Sequence, residues 1–253
     1  MRDNELKHLI TVAKKIVKTE LKTLNKNNGN FTTLKKEKKI KEFKSPIDYL
    51  LNKNITKKLR ETKIPILSEE NKKSWNNIKS NKLLWILDPL DGTVNYSRQL
   101  GSCAISLALF NGLNPIFGVI GTFPDMNIYF GGRDFKSKCN NKFISVSKNI
   151  KKNQSILCTG FPARYEFNTN NSKKLLLDFK NYSKIRMLGS ACISLLMVAS
   201  GKADIYKENN IMLWDVAAGI AIIEGAGGKY NFSFVNSNVC INITAYNNFL
   251  KNI

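Results

Sequence analysis

Residues 83–121 hold the apolar runs "LLWILD", "CAISLALF" and "PIFGVIG", each of a length that suits a buried strand better than a core helix. The pair Asn111-Gly112 separates the last two, which signals a hairpin because both residue types tolerate the left-handed backbone of a tight turn. "NIYFGG" and "FISVS" continue the series, so the first half is expected to build a mostly antiparallel sheet. The second half alternates instead. "SILCTG" reads as a strand, residues 170–182 as a helix and "KIRMLG" as a strand. "SACISLLMVASG" reads as a helix with a serine cap and a glycine stop. "ADIYKE" is a strand, "WDVAAGIAIIEGAGG" an apolar helix opened by an aspartate, and "KYNF" and "CINITAY" close the sheet. Such alternation predicts layered α/β/α packing.

Upstream, Leu6, Leu9, Ile10, Ala13, Ile16, Val17 and Leu21 recur at helical spacing over residues 5–24, ending near Asn27 to Gly29. The lysine-rich stretch from Lys35 to Lys44 reads as a solvated loop or hairpin. Ser45-Pro46 marks an entry to a short helix over 48–61, Pro65 ends it, and "IPILSEE" is a strand running out into Glu69 and Glu70. With no low-complexity linker and no internal repeat, the expectation is one unit over 1–253 with sub-lobes of roughly 1–150 and 151–253.

Composition removes several kinds of chemistry. His8 is the only histidine, which excludes histidine triads, histidine-bearing zinc sites and histidine general bases, and leaves carboxylates, hydroxyls or a hard metal. The five cysteines, Cys103, Cys139, Cys158, Cys192 and Cys240, are odd in number and far apart, as expected of reduced thiols in the cytoplasm. The N-terminus lacks an apolar signal region, and no apolar run approaches the ~20 residues needed to span a bilayer, so no membrane association is expected. A net charge of +21 invites a nucleic-acid partner, but the lysines are scattered among asparagines and no recognition motif is present. The bland reading, a solvated surface that steers phosphorylated small molecules toward the protein, is preferred.

The sharpest local signal is "WILDPLDGTVNY" at 85–96. Asp88 ends an apolar strand, and Pro89 fixes its own φ and donates no backbone hydrogen bond. A rigid turn there can aim Asp88, the Leu90 carbonyl and Asp91 at one point, a donor set suited to Mg²⁺. Gly92 permits close approach to the backbone, Thr93 adds a hydroxyl, and a helix start following them would favour phosphate. Taken alone, D-P-x-D could merely cap a turn.

The whole string, with W-D-x-A-A-G at Trp214 to Gly219, resembles the inositol monophosphatase family of Mg²⁺-dependent, lithium-sensitive phosphatases. The resemblance extends from about Lys44 to Asn247 and implies a five-layered αβαβα sandwich, an α/β (α+β) fold, usually as a homodimer. It implies phosphate-monoester hydrolysis of an inositol phosphate, or another polyol or sugar phosphate, by in-line attack of metal-activated water. Glu69, Asp88, the Leu90 carbonyl, Asp91 and Asp215 then correspond to ligands of two Mg²⁺ ions, with a weak third. Glu69, Asp91 and Thr93 are the catalytic group, Thr93 orienting the attacking water. Gly92, Thr93, Gly189, Ser190, Ala191, Glu208 and Asp215 correspond to substrate-binding positions. Ser68 stands where a glycine is usual. The family's V-T-x-x-D aspartate aligns with Asn54, so either the third ion binds more weakly or Asp48 substitutes. Trp85, Trp214 and Cys192 are read as core, Glu70 as solvent-facing or behind the ligands, and Arg164 as reaching a substrate phosphate or sugar rather than lying at the surface. The D-G-T-V-N-Y string favours the inositol-phosphatase branch over 3′(2′),5′-bisphosphate nucleotidases, while histidinol phosphate and fructose bisphosphate stay open. A basic binding or scaffold protein on a weakened phosphatase fold is the alternative of another class.

Overall fold

The computed structural model describes residues 3–27, 35–36, 43–74, 82–161, 168–235 and 237–250. Chain order gives helix α1 (Asp3–Asn27), the paired strands β1 (Lys35–Lys36) and β2 (Phe43–Lys44), and helix α2 (Pro46–Leu59). Then come β3 (Ile66–Ser68), β4 (Leu83–Asp91), a short helix α3 (Thr93–Arg98), β5 (Cys103–Asn111), β6 (Asn114–Phe123), β7 (Ile128–Gly132), β8 (Phe135–Cys139) and β9 (Lys142–Phe143). The second half runs β10 (Ile156–Cys158), α4 (Thr169–Asn181), β11 (Lys184–Arg186), α5 (Ala191–Ala199), β12 (Ile205–Met212), α6 (Leu213–Gly225), β13 (Gly228–Phe234) and β14 (Cys240–Asn247).

A period of two sorts the side chains of the larger sheet, whose order is β3-β4-β5-β6-β7-β8-β9. Trp85, Leu87, Leu107, Leu109, Phe117 and Val119 enter a core shared with α1 and α2. Leu84, Ile86, Ala104, Ala108, Phe110 and Ile120 enter the opposite core, built with α5 and α6. Both faces are therefore buried, which explains why these strands read as continuous apolar runs. Apart from the parallel pairing of β3 with β4, the strands of this sheet pair antiparallel. At Gly118 a Cβ would fall on the Ala218 carbonyl, so glycine is what lets α6 lie against β6.

The smaller sheet has the order β11-β10-β12-β14-β13, with β10 parallel to both neighbours and β14 antiparallel to both of its own. Tyr206 on β12 belongs to the core with α5 and α6, whereas Ile205 joins an outer cluster with Leu157, Tyr182 and Leu250. Lys207 shares the outer side with Ile205 and meets Asp178 of α4 at 2.7 Å, which fixes α4 on that face. The layers are α1/α2, the larger sheet, α5/α6, the smaller sheet and α4, an α/β sandwich.

Several local expectations need correction. Helix α2 begins at Pro46 rather than 48, because Ser45 is its cap, with a capping box closed by Asp48. The strand expected over "FISVS" covers only Lys142–Phe143, and Phe135–Cys139 forms a strand that "DFKSKC" did not announce. Lys44 does not lie in a solvated stretch, and of the two settings expected for Glu70 the one behind the ligands is found. Their side chains are paired largely out of solvent, with Lys44 Nζ 2.9 Å from each Glu70 carboxylate oxygen.

Candidate active site

The site starts at a flaw in the β4–β5 ladder. Asp88 sits opposite Ser106, and Asp91 opposite Ala104, so one extra residue of β4 is accommodated between them. A bulge of this kind re-aims side chains, and Pro89 at its centre has no N–H to lose from the ladder. Leu90 N donates to Asp88 Oδ1 at 2.9 Å, fixing one carboxylate from within its own turn. Gly92 follows at φ +87°, in the left-handed region glycine tolerates, and a Cβ there would lie 3.2 Å from Cys103 Cβ and 3.3 Å from Ser190 Cβ. The chain then enters α3 at Thr93.

Glu69 follows β3, beside β4, with its N–H donating to the Leu87 carbonyl at 3.2 Å. Asp215 comes from the first turn of α6, its Oδ2 accepting from Met212 N at 3.3 Å. Glu69, Asp88 and Asp215 each offer an oxygen within 4.8 Å of the others. Asp91 stands beside that trio and is held by the start of α5. Its Oδ2 accepts from Ser190 Oγ at 2.5 Å and Cys192 N at 2.7 Å, while Ser190 Oγ also caps Ile193 N at 3.1 Å.

Crowding shows in the protonation of these groups. Burial, then the charges of Glu70 and Asp48, push the Glu69 carboxyl up to about 8, opposed by Lys44. Asp88 and Asp215 are driven well above the usual carboxylate range by burial, then by repulsion from neighbouring carboxylates. Asp91 is raised by burial and held back by its bonds to Ser190 and Cys192. A cleft that must otherwise take up protons, lined by hard oxygen donors, fits a divalent cation such as Mg²⁺.

Thr93 Oγ1 donates to Asp48 Oδ1 at 2.8 Å and lies 3.1 Å from the Leu90 carbonyl oxygen. The other oxygen of Asp48 accepts from Ser45 N at 2.7 Å. Asp48, not Asn54, therefore stands beside Thr93. Asn54 is on the far side of α2, donating to Glu20 Oε2 at 3.0 Å while Lys58 meets Glu20 Oε1 at 2.7 Å. The alignment to Asn54 failed because the capping box at Ser45 starts the helix earlier. No amide replaces the carboxylate next to Thr93, and a weakened site on that account falls away.

Beside Asp91 opens a cavity of about 190 Å³ lined by Thr159, Gly160, Gly189, Ser190, Ala191 and Glu208, among others. Glu208 is buried, accepts from Tyr206 Oη at 2.8 Å, and is pushed up to about 7 chiefly by burial. Asn95 is a positioning residue that the sequence reading passed over. Its Nδ2 donates to the Ser102 carbonyl at 3.0 Å and the Leu188 carbonyl at 2.8 Å, tying the Gly189 loop to α3. Its place inside D-G-T-x-N-Y was the available signal. Trp85, Trp214 and Cys192 are core, as expected. Arg164 lies outside the described residues.

The sequence profile of the inositol monophosphatase family matches residues 3–233. The chain belongs to this family. Its homologues in this family are phosphoric monoester hydrolases, and the family is in general magnesium-dependent. Among curated proteins it is similar to the Nus factor SuhB of Xylella fastidiosa, 33% identical over 74% of this chain and 68% of that one. It is also similar to the inositol-1-monophosphatase of Synechocystis, 33% identical over 58% of this chain and 52% of that one. For most of the curated relatives it matches, the alignment spans about half of their length. Among solved structures, the inositol monophosphatase from Anabaena superposes with a TM-score of 0.81 at 26% identity, covering 98% of this chain and 93% of that one. The SuhB protein of Bartonella henselae gives 0.83 at 25% identity, covering 96% and 95%. No helix among the described residues is long and apolar enough to cross a membrane.

Proposed function

We propose that this family member is a Mg²⁺-dependent, lithium-sensitive phosphomonoesterase acting on inositol monophosphate or a related polyol or sugar phosphate. The observation that carries the reading is the convergence of Glu69, Asp88 and Asp215 within 4.8 Å, from different elements, beside the cavity at Asp91. Glu69, Asp88, the Leu90 carbonyl, Asp91 and Asp215 would hold two ions, and Asp48, beside Thr93, supplies the carboxylate for a third. Mg²⁺ held by these residues would supply positive charge against the leaving alkoxide and would acidify the water expected to attack phosphorus in line. Thr93, whose proton is committed to Asp48, keeps its lone pairs for the proton of that water. Asp91, whose Oδ2 is fixed by Ser190 Oγ and Cys192 N, would be held in place as a cation ligand. Gly92, Gly189, Ser190 and Ala191 offer backbone to the phosphate and leaving group, and Glu208 and Asp215 accept from its hydroxyls. We read the chain as one cytoplasmic domain, sub-lobes 1–150 and 151–253 sharing the α5/α6 layer, and active as a homodimer.

The test is phosphate release from a panel of phosphate esters with Mg²⁺, with and without lithium. Release lost in Asp91→Asn supports the reading; no Mg²⁺-dependent turnover of any ester refutes it. A second reading draws on the net charge of +21 and on relatives named Nus factor SuhB: a nucleic-acid-binding role on the same fold. Salt-sensitive RNA binding in a mobility-shift assay would support it, and its absence at low salt would dismiss it.

A further inference from the structure

The cavity beside Asp91 is built around the carboxylate of Glu208, and the residues that hold this carboxylate take no part in the chemistry described above. Glu208 lies on β12, 8% exposed, with Tyr206 two residues earlier on the same face and 0% exposed. The Tyr206 hydroxyl donates to Oε2 at 2.8 Å. Burial holds the Tyr206 phenol well above its ordinary range, so it keeps its proton and stays a donor. From the opposite side the carboxylate meets Gly160. A Cβ on residue 160 would stand 2.8 Å from Oε2, closer than real Cβ contacts allow, and a tight 3.0 Å from Oε1 and 3.1 Å from Cδ, so the carboxylate would have to shift. Gly160 cannot back away freely, because Thr159 is clamped on both sides. Its N–H donates to the Arg186 carbonyl at 3.0 Å, and its Oγ1 to the Lys207 carbonyl at 2.7 Å.

We propose that Tyr206 and Gly160 are positioning residues that fix the Glu208 carboxylate against the leaving group, and so set a preference for phosphate esters whose alcohol carries further hydroxyls. The inference rests on the phosphatase reading. A carboxylate accepts O–H bonds from a polyol, and a leaving group without hydroxyls leaves that charge with the Tyr206 hydroxyl but no donor from the substrate. Sites built to hydrogen-bond a substrate hydroxyl discriminate strongly for this reason. A glycine and a tyrosine that do no chemistry would then decide which ester is chosen.

The test compares myo-inositol 1-phosphate with p-nitrophenyl phosphate, whose leaving group has no further hydroxyl, under the same Mg²⁺. Tyr206→Phe and Gly160→Ala are each expected to raise KM for the inositol ester about tenfold, as loss of a charged hydrogen bond would. In both variants kcat on the inositol ester should stay nearly unchanged, as should kcat/KM on p-nitrophenyl phosphate. Tyr206→Phe keeps the buried ring, and Gly160→Ala lies on a half-buried loop, so two independent variants probe the carboxylate. Equal losses on both esters, or no change on either, overturn the proposal while leaving the phosphatase reading intact. A wild type that hydrolyses neither of these esters overturns this proposal, and the phosphatase reading falls with it only if no ester of the wider panel is turned over.

Discussion

Thr93 and Asp48 form the smallest arrangement in the site with a stated task. Thr93→Ala removes the hydroxyl next to the proposed water while leaving the carboxylate trio in place. It is expected to lower kcat by about 10²-fold, within the usual range for a proton-transfer group. Mg²⁺ affinity, followed by calorimetry, should stay near that of the wild type. Asn54 makes the contrasting case. Its Nδ2 donates to Glu20, which is 1% exposed. Asn54→Asp would set a second carboxylate against a buried one, and should destabilise the protein by ~1–3 kcal/mol with no gain in phosphate release at low Mg²⁺. A denaturant melt and a Mg²⁺ titration of activity together check this, and a gain in activity would restore Asn54 to the site.

At the scale of elements, what matters is how closely helices approach strands. The start of α6, which carries Asp215, is aimed by the contact of that helix with the inner face of the larger sheet. Gly118 is where β6 meets the α6 backbone at Ala218. Gly118→Ala should cost about 1–3 kcal/mol by overpacking, because the obstacle is main chain and cannot rotate aside. Equilibrium unfolding in urea would show it as a lower midpoint with an unchanged slope. The β4 bulge works on the same principle: it turns Asp91 to the start of α5, where Ser190 is both helix cap and carboxylate partner.

Across the whole molecule, the cleft joins β3 and β4 of the larger sheet to α5, α6 and β12, and it concentrates negative charge in a protein of net charge +21. The pH dependence follows in sign. Glu69 rises from 4.5 to about 8 on folding without cation. Its contribution to apo stability is complete below the unfolded value and is lost as pH climbs through the folded one. Cation binding displaces these protons and is favoured as they leave. The rise in Tm on adding Mg²⁺ relative to EDTA should therefore be larger at roughly pH 8.5 than at about pH 6. A series of thermal melts reads this without any assay of turnover, and a Mg²⁺-induced shift independent of pH would count against the cluster as a cation site.

Much of this was written in the chain's local patterns. The runs around Trp85, Leu107 and Val119 could only be buried strands, and the spacing of Leu9, Ala13, Ile16 and Val17 could only be one face of a helix, because burial enforces those periods. D-P-L-D-G-T stated its chemistry for a related reason: its oxygen donors are a few residues apart, so backbone stiffness alone brings them near one another. Other features depended on where distant segments meet. Asp48 was distinguished from Asn54 only when α2 was seen to start at its Ser45 cap, which sets which side of the helix faces Thr93. Glu70 and Lys44 were found to be partners largely out of solvent, and Tyr206, Gly160 and Glu208 to share a wall, only once β3, the loop after β10 and β12 were in place. Local periodicity determined the elements and the donor types; packing between elements distant in sequence decided which carboxylate faces which neighbour, since that choice depends on contacts that no stretch of sequence contains.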